Sequence, residues 1–265
     1  MTAILTPPGA GERSAATVSR QAAPLARRVA GYASTPLVLG AVVAALYWYV
    51  TSRTLDAVEK RSLNAGYIGT RVVQHLELSV AVAVLVVLIA VPLGVLITRP
   101  VFRRISPPLV GVANIGQAVP SIGVLVLFAL TVGIGAKVAV AAFVIYTILP
   151  VLRNTMVGLQ QVDPGVIEAA RGMGMSKAGV LRRIELPLAV PIILAGIRTA
   201  LVIAVGSVAL ATFVNAGGLG DIINNGITTS RPIVTLTGSV LTAVLALLVD
   251  WVAGIGEELL RPRGL

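Results

Sequence analysis

At 265 residues the chain could form one or two soluble domains, but 56% hydrophobic residues, 12% charged residues and a mean hydropathy of +0.93 speak against that, since soluble domains carry about 25% charged residues. With no cysteine and a single histidine, His75, the sequence excludes disulfides, thiolate nucleophiles and histidine clusters for a metal. The formal charge of +10 sits in short basic runs between long apolar blocks, which is the pattern of membrane anchoring and not of a solvated face for nucleic acid.

Residues 1–35 are rich in Pro, Gly, Ala and Ser, carry Arg13, Arg20, Arg27 and Arg28, and contain no apolar core. They read as a flexible cytoplasmic tail and not as a cleavable signal. The first transmembrane helix is expected over 36–52, where Tyr47, Trp48 and Tyr49 form the aromatic cluster typical of a membrane–water interface. A second span follows from Leu76 to Thr98, about 35 Å as a helix against a hydrocarbon core of roughly 30 Å. The apolar stretch from Val119 to Pro150 is too long for one span, and Gly133, Gly135 and Lys137 divide it into helices over 119–133 and 137–153. A fifth span is expected over 188–214, a sixth from Ile233 to Val252, and a second cytoplasmic tail over 253–265. The fold expected is therefore all-α and polytopic, with about six transmembrane helices.

Orientation follows from the basic residues. With a cytoplasmic N-terminus, only Arg53, Lys60, Arg61, Arg71, Lys137 and Arg231 of the 21 Lys and Arg fall outside, and Arg198 lies within a span. That asymmetry favours both termini inside. The four basic residues of segment 53–75 go against it.

The segment 156–187, between the fourth and fifth spans, carries the most specific pattern. Asp163 is a good helix N-cap, Pro164 suits the first helical position, and Gly172 or Gly174 can end the helix in a left-handed conformation. Ser176 can cap a second short helix before Pro187 opens the next span. Glu168 is expected to be exposed beside the small Ala169 and Ala170, offering a surface on which a partner packs closely.

Glu168, Ala169, Ala170, then Gly174, Ile184, Leu186 and Pro187 stand as E-A-A, three residues, G, nine residues, I, one residue, L-P. This arrangement resembles the signature of type I ABC importer permeases. The resemblance implies a methionine-importer-like fold with a permease core over 66–252, in which the loop is a coupling helix seated on an ATP-hydrolysing partner. Asp163 would help shape that docking element. Further stretches resemble the osmoprotectant branch, which carries glycine betaine, carnitine, choline or proline: His75-Leu76-Glu77-Leu78-Ser79, Pro92-Leu93-Gly94-Val95-Leu96-Ile97-Thr98-Arg99, Gln117-Ala118-Val119-Pro120-Ser121, Leu149-Pro150-Val151-Leu152-Arg153-Asn154-Thr155 and Gly217-Gly218-Leu219-Gly220-Asp221. It also implies a prokaryotic cell-membrane location, a second permease copy or homologue, ABC ATPase subunits that hold the ATP and Mg, and a separate extracytoplasmic solute-binding protein. No bond chemistry and no cofactor are expected in this chain.

Other polar features admit two readings each. Arg198 inside the fifth span either marks a pathway or a buried partner, or snorkels from near the cytoplasmic end. Gln117, Pro120 and Ser121 either line a pathway at a broken helix or merely start the third span. Gly217, Gly218 and Gly220 either help close an outer gate or form a flexible turn. With aromatic residues at 4%, none clustered within the spans, a high-affinity aromatic cage for a quaternary ammonium is expected on the binding protein. The alternatives are a permease of the same type for an amino acid or oxyanion, or an ion-coupled secondary transporter. The latter would need intramembrane carboxylates or inverted repeats, whereas Glu77 and Asp250 are placed near span ends.

Overall fold

The structure, a computed structural model, describes residues 25–102 and 104–260, so most of the 1–35 tail and residues 261–265 lie outside it. All regular elements among the described residues are helices. Helix α1 (Leu25–Thr51) leads to the short α2 (Ala57–Ser62) and the long α3 (Ala65–Ile97). Asp56 starts α2 through a reciprocal capping box: its carboxylate accepts from the backbone N–H of Val58 and Glu59, while its own N–H donates to Glu59. Asn64 caps α3 by accepting from the N–H of Tyr67 at 3.0 Å.

Beyond α3 come α4 (Ser106–Ala118), α5 (Ser121–Thr131) and α6 (Ala136–Gln160). The third expected span, 119–133, holds a helix over 121–131. Pro120 disfavours helical geometry at the residue before it, and Val119 sits in the extended region at φ −74°, ψ 132°. The helix therefore breaks at 119–120. Its second half, α5, has 11 residues, about 16 Å, too short to cross a bilayer alone. The other five candidate spans are long and apolar enough: Ala33–Thr51, Ala65–Ile97, Ala136–Gln160, Lys177–Val214 and Pro232–Leu260.

The remaining elements are α7 (Pro164–Gly172), α8 (Lys177–Val180), a π-helical turn over Leu181–Glu185, α9 (Leu186–Val208), a 3₁₀ turn over Ala209–Val214, α10 (Gly220–Thr228) and α11 (Pro232–Leu260). Helices run past the hydropathy boundaries at both ends of the chain: α1 starts at Leu25 and not at 36, and α11 continues through 253–260. Backbone hydrogen bonding does not stop where apolar composition does. Residues 25–35 and 253–260 of the two expected tails are thus helical.

The core lies where α6 packs between α3 and α9, around Val82, Val86, Leu125, Phe143, Val151, Leu152, Ala204 and Val208. Small residues set the helix separation: a Cβ on Gly196 of α9 would stand 2.6 Å from Asn154 Cβ and 2.9 Å from the Pro150 carbonyl of α6. Such close approach is how helices gain packing energy in lipid, where no hydrophobic force draws them together. The outer surface carries Leu88, Leu127, Leu130 and Leu247 exposed, as a lipid-solvated protein does.

Two ends are distinct. At one, α2, the start of α3, α10 and the start of α11 meet: Asn225 donates to Ser62 Oγ at 2.7 Å, Arg71 pairs with Asp221 at 2.8 Å, and Arg231 pairs with Asp56. At the other end lie the close of α3, α7 and α8.

Candidate functional site

The 163–187 loop is built from its caps upward. Asp163 accepts from the N–H of Gly165 at 2.7 Å, and Pro164 occupies the first turn of α7 where a missing N–H costs nothing. The helix closes at Gly174, whose φ of +85° needs a residue without Cβ. Met173 N–H donates to the Ala169 carbonyl, Gly174 N–H to Arg171, and Met175 N–H to Ala170, so the last carbonyls of α7 are satisfied. Ser176 accepts from the N–H of Gly179 and starts α8.

On α7, Glu168 and Ala169 face outward, with Val166 and Met173 exposed beside them. Ala170 does not join that surface. It is 2% exposed and turned inward, and its small size admits the close seating of α7 on the rest of the loop. Ile184, Leu186 and Pro187 are half-buried where the loop enters α9. The outward patch is thus one carboxylate among small and apolar side chains, with Arg171 exposed one turn further on.

Glu185, inside the I-x-L-P spacing, went unassigned by sequence reasoning. It is 7% exposed, and its carboxylate accepts from Arg99 at 2.7 Å. Arg99 follows the end of α3 and also donates to the Val95 carbonyl at 3.2 Å and to Thr98 Oγ1 at 3.2 Å. The pair therefore ties the π-helical turn to the end of α3. Its one sequence signal is an acidic residue that follows the basic pair Arg182 and Arg183.

The other residues fall in three further places. Gln117 lies in the last turn of α4, not at the start of a span, and donates to the Tyr146 carbonyl at 3.4 Å. Pro120 is exposed at the break, and Ser121 opens α5. Pro120 and Ser121 thus stand at a helix start, whereas Gln117 belongs to the helix before it. Gly217 and Gly218, at φ +86° and +94°, are buried against α3, and Gly220 packs so closely on the Ala209 carbonyl that a Cβ would overlap it. This stretch is a packed junction and not a flexible turn. His75 organises it: Nδ1 accepts from the Leu219 N–H at 3.2 Å and Nε2 donates to the Val205 carbonyl at 2.8 Å. One neutral ring thus pins α9 and the glycine segment to α3.

Arg198 does not stand alone. Its guanidinium makes a bidentate pair with Asp250 of α11, at 2.6 and 2.7 Å, with Glu257 at 3.7 Å. Asp250 and Glu257 lie two turns apart on one face of α11, a spacing visible in the sequence that could have identified the partner. Among the described residues no cluster of metal-ligating side chains occurs.

Residues 90–262 match the family described as the binding-protein-dependent transport system inner membrane component. The choline transport system permease protein OpuBB of Bacillus subtilis (strain 168) is 38% identical over 202 residues, 76% of this chain and 92% of its own length. The glycine betaine/carnitine/choline transport system permease protein OpuCD of the same organism is 40% identical over 202 residues, covering 76% and 87%. The osmoprotectant import permease protein OsmW of Salmonella typhimurium is 38% identical over 219 residues, covering 80% and 100%. Among solved structures, the MetNI methionine ABC transporter in an inward-facing conformation matches with a TM-score of 0.65 at 25% identity, over 74% of this chain and 96% of its own.

Proposed function

The chain belongs to the family of binding-protein-dependent transport system inner membrane components, and on that premise we propose that it forms the membrane path of an ATP-driven importer for a compatible solute of the glycine betaine, carnitine, choline or proline class. The observation that carries the coupling role is α7 itself: a capped helix between two candidate spans, presenting Glu168 and Ala169 outward and followed by a π-helical turn tied to α3 through Glu185 and Arg99. The permease relatives named for choline, carnitine, glycine betaine and osmoprotectants support the substrate class.

In this reading α4 and α5 together make the third crossing, so that with the five long helices both termini and α7 face the cytoplasm, where an ABC ATPase subunit holding ATP and Mg grips α7. A second permease copy or homologue completes the path, and a separate extracytoplasmic binding protein delivers the solute. Nucleotide-driven closure of the ATPases pulls on the loop and biases a two-state equilibrium between inward- and outward-open forms. The broken α4–α5 helix, with Gln117, Pro120 and Ser121, lines the path, since irregular backbone at membrane depth persists only where protein or a water-filled cavity receives it. The packed Gly217, Gly218 and Gly220 segment lies at the outer end, where the gate closes. Arg198, satisfied by Asp250, holds α9 to α11 and does not contact the solute.

The test is solute uptake by proteoliposomes holding the assembled transporter and its binding protein. ATP-dependent, vanadate-sensitive accumulation of one of the four solutes is expected. Uptake driven by an ion gradient without ATP overturns the coupling role, and ATP-driven uptake of none of the four overturns the substrate class.

A further inference from the structure

Where α1 ends, a groove of about 610 Å³ opens between α1, α2, α3 and α11. Its walls are apolar, with Val43, Leu46 and Val50 of α1 facing Leu63, Ile68 and Leu241. Along α1 the lining runs from Val43 to Thr51, about 12 Å, which is most of one leaflet's share of a core roughly 30 Å thick. Tyr47, Trp48 and Tyr49 lie on the same stretch, with Tyr47 and Trp48 each 71% exposed, and such aromatic side chains settle at headgroup level.

Arg53 and Lys60 line the groove beyond the last turn of α1. The acidic side chains at this end are engaged elsewhere: Asp56 with Arg231, Asp221 with Arg71, and Glu59 accepting the Asp56 N–H. Arg53 rests over the Tyr49 ring at 5.0 Å, and neither it nor Lys60 has a carboxylate partner among the described residues. An apolar slot open to lipid, ending in two unneutralised cations beside an aromatic belt, is complementary to an amphiphile with an anionic head. An apolar partner helix would fill the slot but leave both cations without a counter-charge.

We propose that this groove binds an anionic phospholipid, with an acyl chain between α1 and α11 and the phosphate between Arg53 and Lys60. Arg53 and Lys60, two of the four basic residues of segment 53–75 that the orientation rule leaves unexplained, then have an anion to meet. The site goes beyond the transport reading and does not depend on which solute is carried.

The experiment is native mass spectrometry of the assembled transporter in detergent, titrated with phosphatidylglycerol, phosphatidylcholine or inorganic phosphate. Two basic side chains at one phosphate give an expected preference of about thirtyfold for phosphatidylglycerol over phosphatidylcholine. The double variant Arg53→Gln/Lys60→Gln should abolish that preference, while Arg61→Gln, exposed on α2 and outside the groove, should keep it. Leu241→Trp, which fills the slot without touching a charge, should reduce retention of the lipid. Equal retention of both lipids, an unaffected double variant, or occupancy by inorganic phosphate alone would overturn the proposal. So would a double variant that holds lipid normally yet loses stimulation by the binding protein, because the cations would then serve a protein partner.

Discussion

If movement of α7 reaches the membrane helices through the Arg99–Glu185 pair, then Glu185→Gln should uncouple the transporter without dismantling it. The substitution keeps the size of a side chain that is 9% exposed and removes the charge that Arg99, 31% exposed, meets at 2.7 Å. Breaking a fully buried pair costs about 3–5 kcal/mol, and breaking an exposed one about 0–1 kcal/mol. With one partner buried and the other a third exposed, about 2 kcal/mol is the reasonable expectation, or up to about thirtyfold in an equilibrium. The outward face of α7 is untouched, so the ATPase should still co-purify. What should fall is the solute moved per ATP hydrolysed in proteoliposomes, and the stimulation of hydrolysis by loaded binding protein. A double-mutant cycle with Arg99→Ala isolates the pair, and the exchanged Arg99→Glu/Glu185→Arg should recover part of the loss. Wild-type coupling in Glu185→Gln, or a loss fully explained by failed assembly, would refute the reasoning.

Three further outcomes are expected. Glu168→Lys inverts the one carboxylate on the outward face of α7 and should abolish co-purification of the ATPase while membrane insertion, read by protease protection, stays normal. His75→Ala leaves the Leu219 N–H and the Val205 carbonyl without their partner, a destabilisation of about 1–3 kcal/mol for each buried group left unpaired, and should lower the thermal midpoint of the purified complex; an unchanged midpoint counts against the pin. Asp56 has its carboxyl held below the usual aspartate value of 3.8, chiefly by the Glu59 N–H and then by Arg231, despite some desolvation. A depressed value means the charged form stabilises the fold above the unfolded value and that this is lost as pH falls through the folded one. The melting difference between wild type and Asp56→Asn should therefore hold above pH 3.8 and shrink below it, and a difference that grows on acidification would contradict the sign.

The sequence discloses most of the architecture because hydrophobic length is the dominant physical constraint in a bilayer, and because Asp163, Pro164 and Ser176 cap the loop as their chemistry requires. It discloses less where geometry depends on distant chain segments. Val119 and Pro120 stood within an apolar run, so hydropathy joined what the backbone breaks. Ala170 reads like Ala169 in sequence, and only the phase of α7 turns one inward and the other outward. Glu185 and Arg99 are 86 residues apart, so neither predicts the other. Gly217 and Gly218 look like a turn until His75 is seen beneath them.

Arg198 poses the remaining choice, between a charge that serves the passage of solute and one that holds helices together. The bidentate pair with Asp250, reinforced by Glu257 at 3.7 Å, joins α9 to α11 and satisfies the guanidinium without a ligand. If holding is its role, charge matters only through the pair. Arg198→Leu alone strands Asp250 in a span, and Asp250→Leu alone strands Arg198. Each should cost several times what the paired change Arg198→Leu/Asp250→Leu does, because replacing both members of an ion pair by apolar groups is often near neutral whereas removing one leaves an uncompensated charge. Glu257 sharpens the comparison: its carboxylate still neutralises part of the stranded Arg198 in Asp250→Leu, so that variant should be the milder of the two. Expression of folded complex and solute uptake should follow the same order. Were the double variant to assemble fully and bind its ATPase yet fail to move solute, the pair would lie on the route itself.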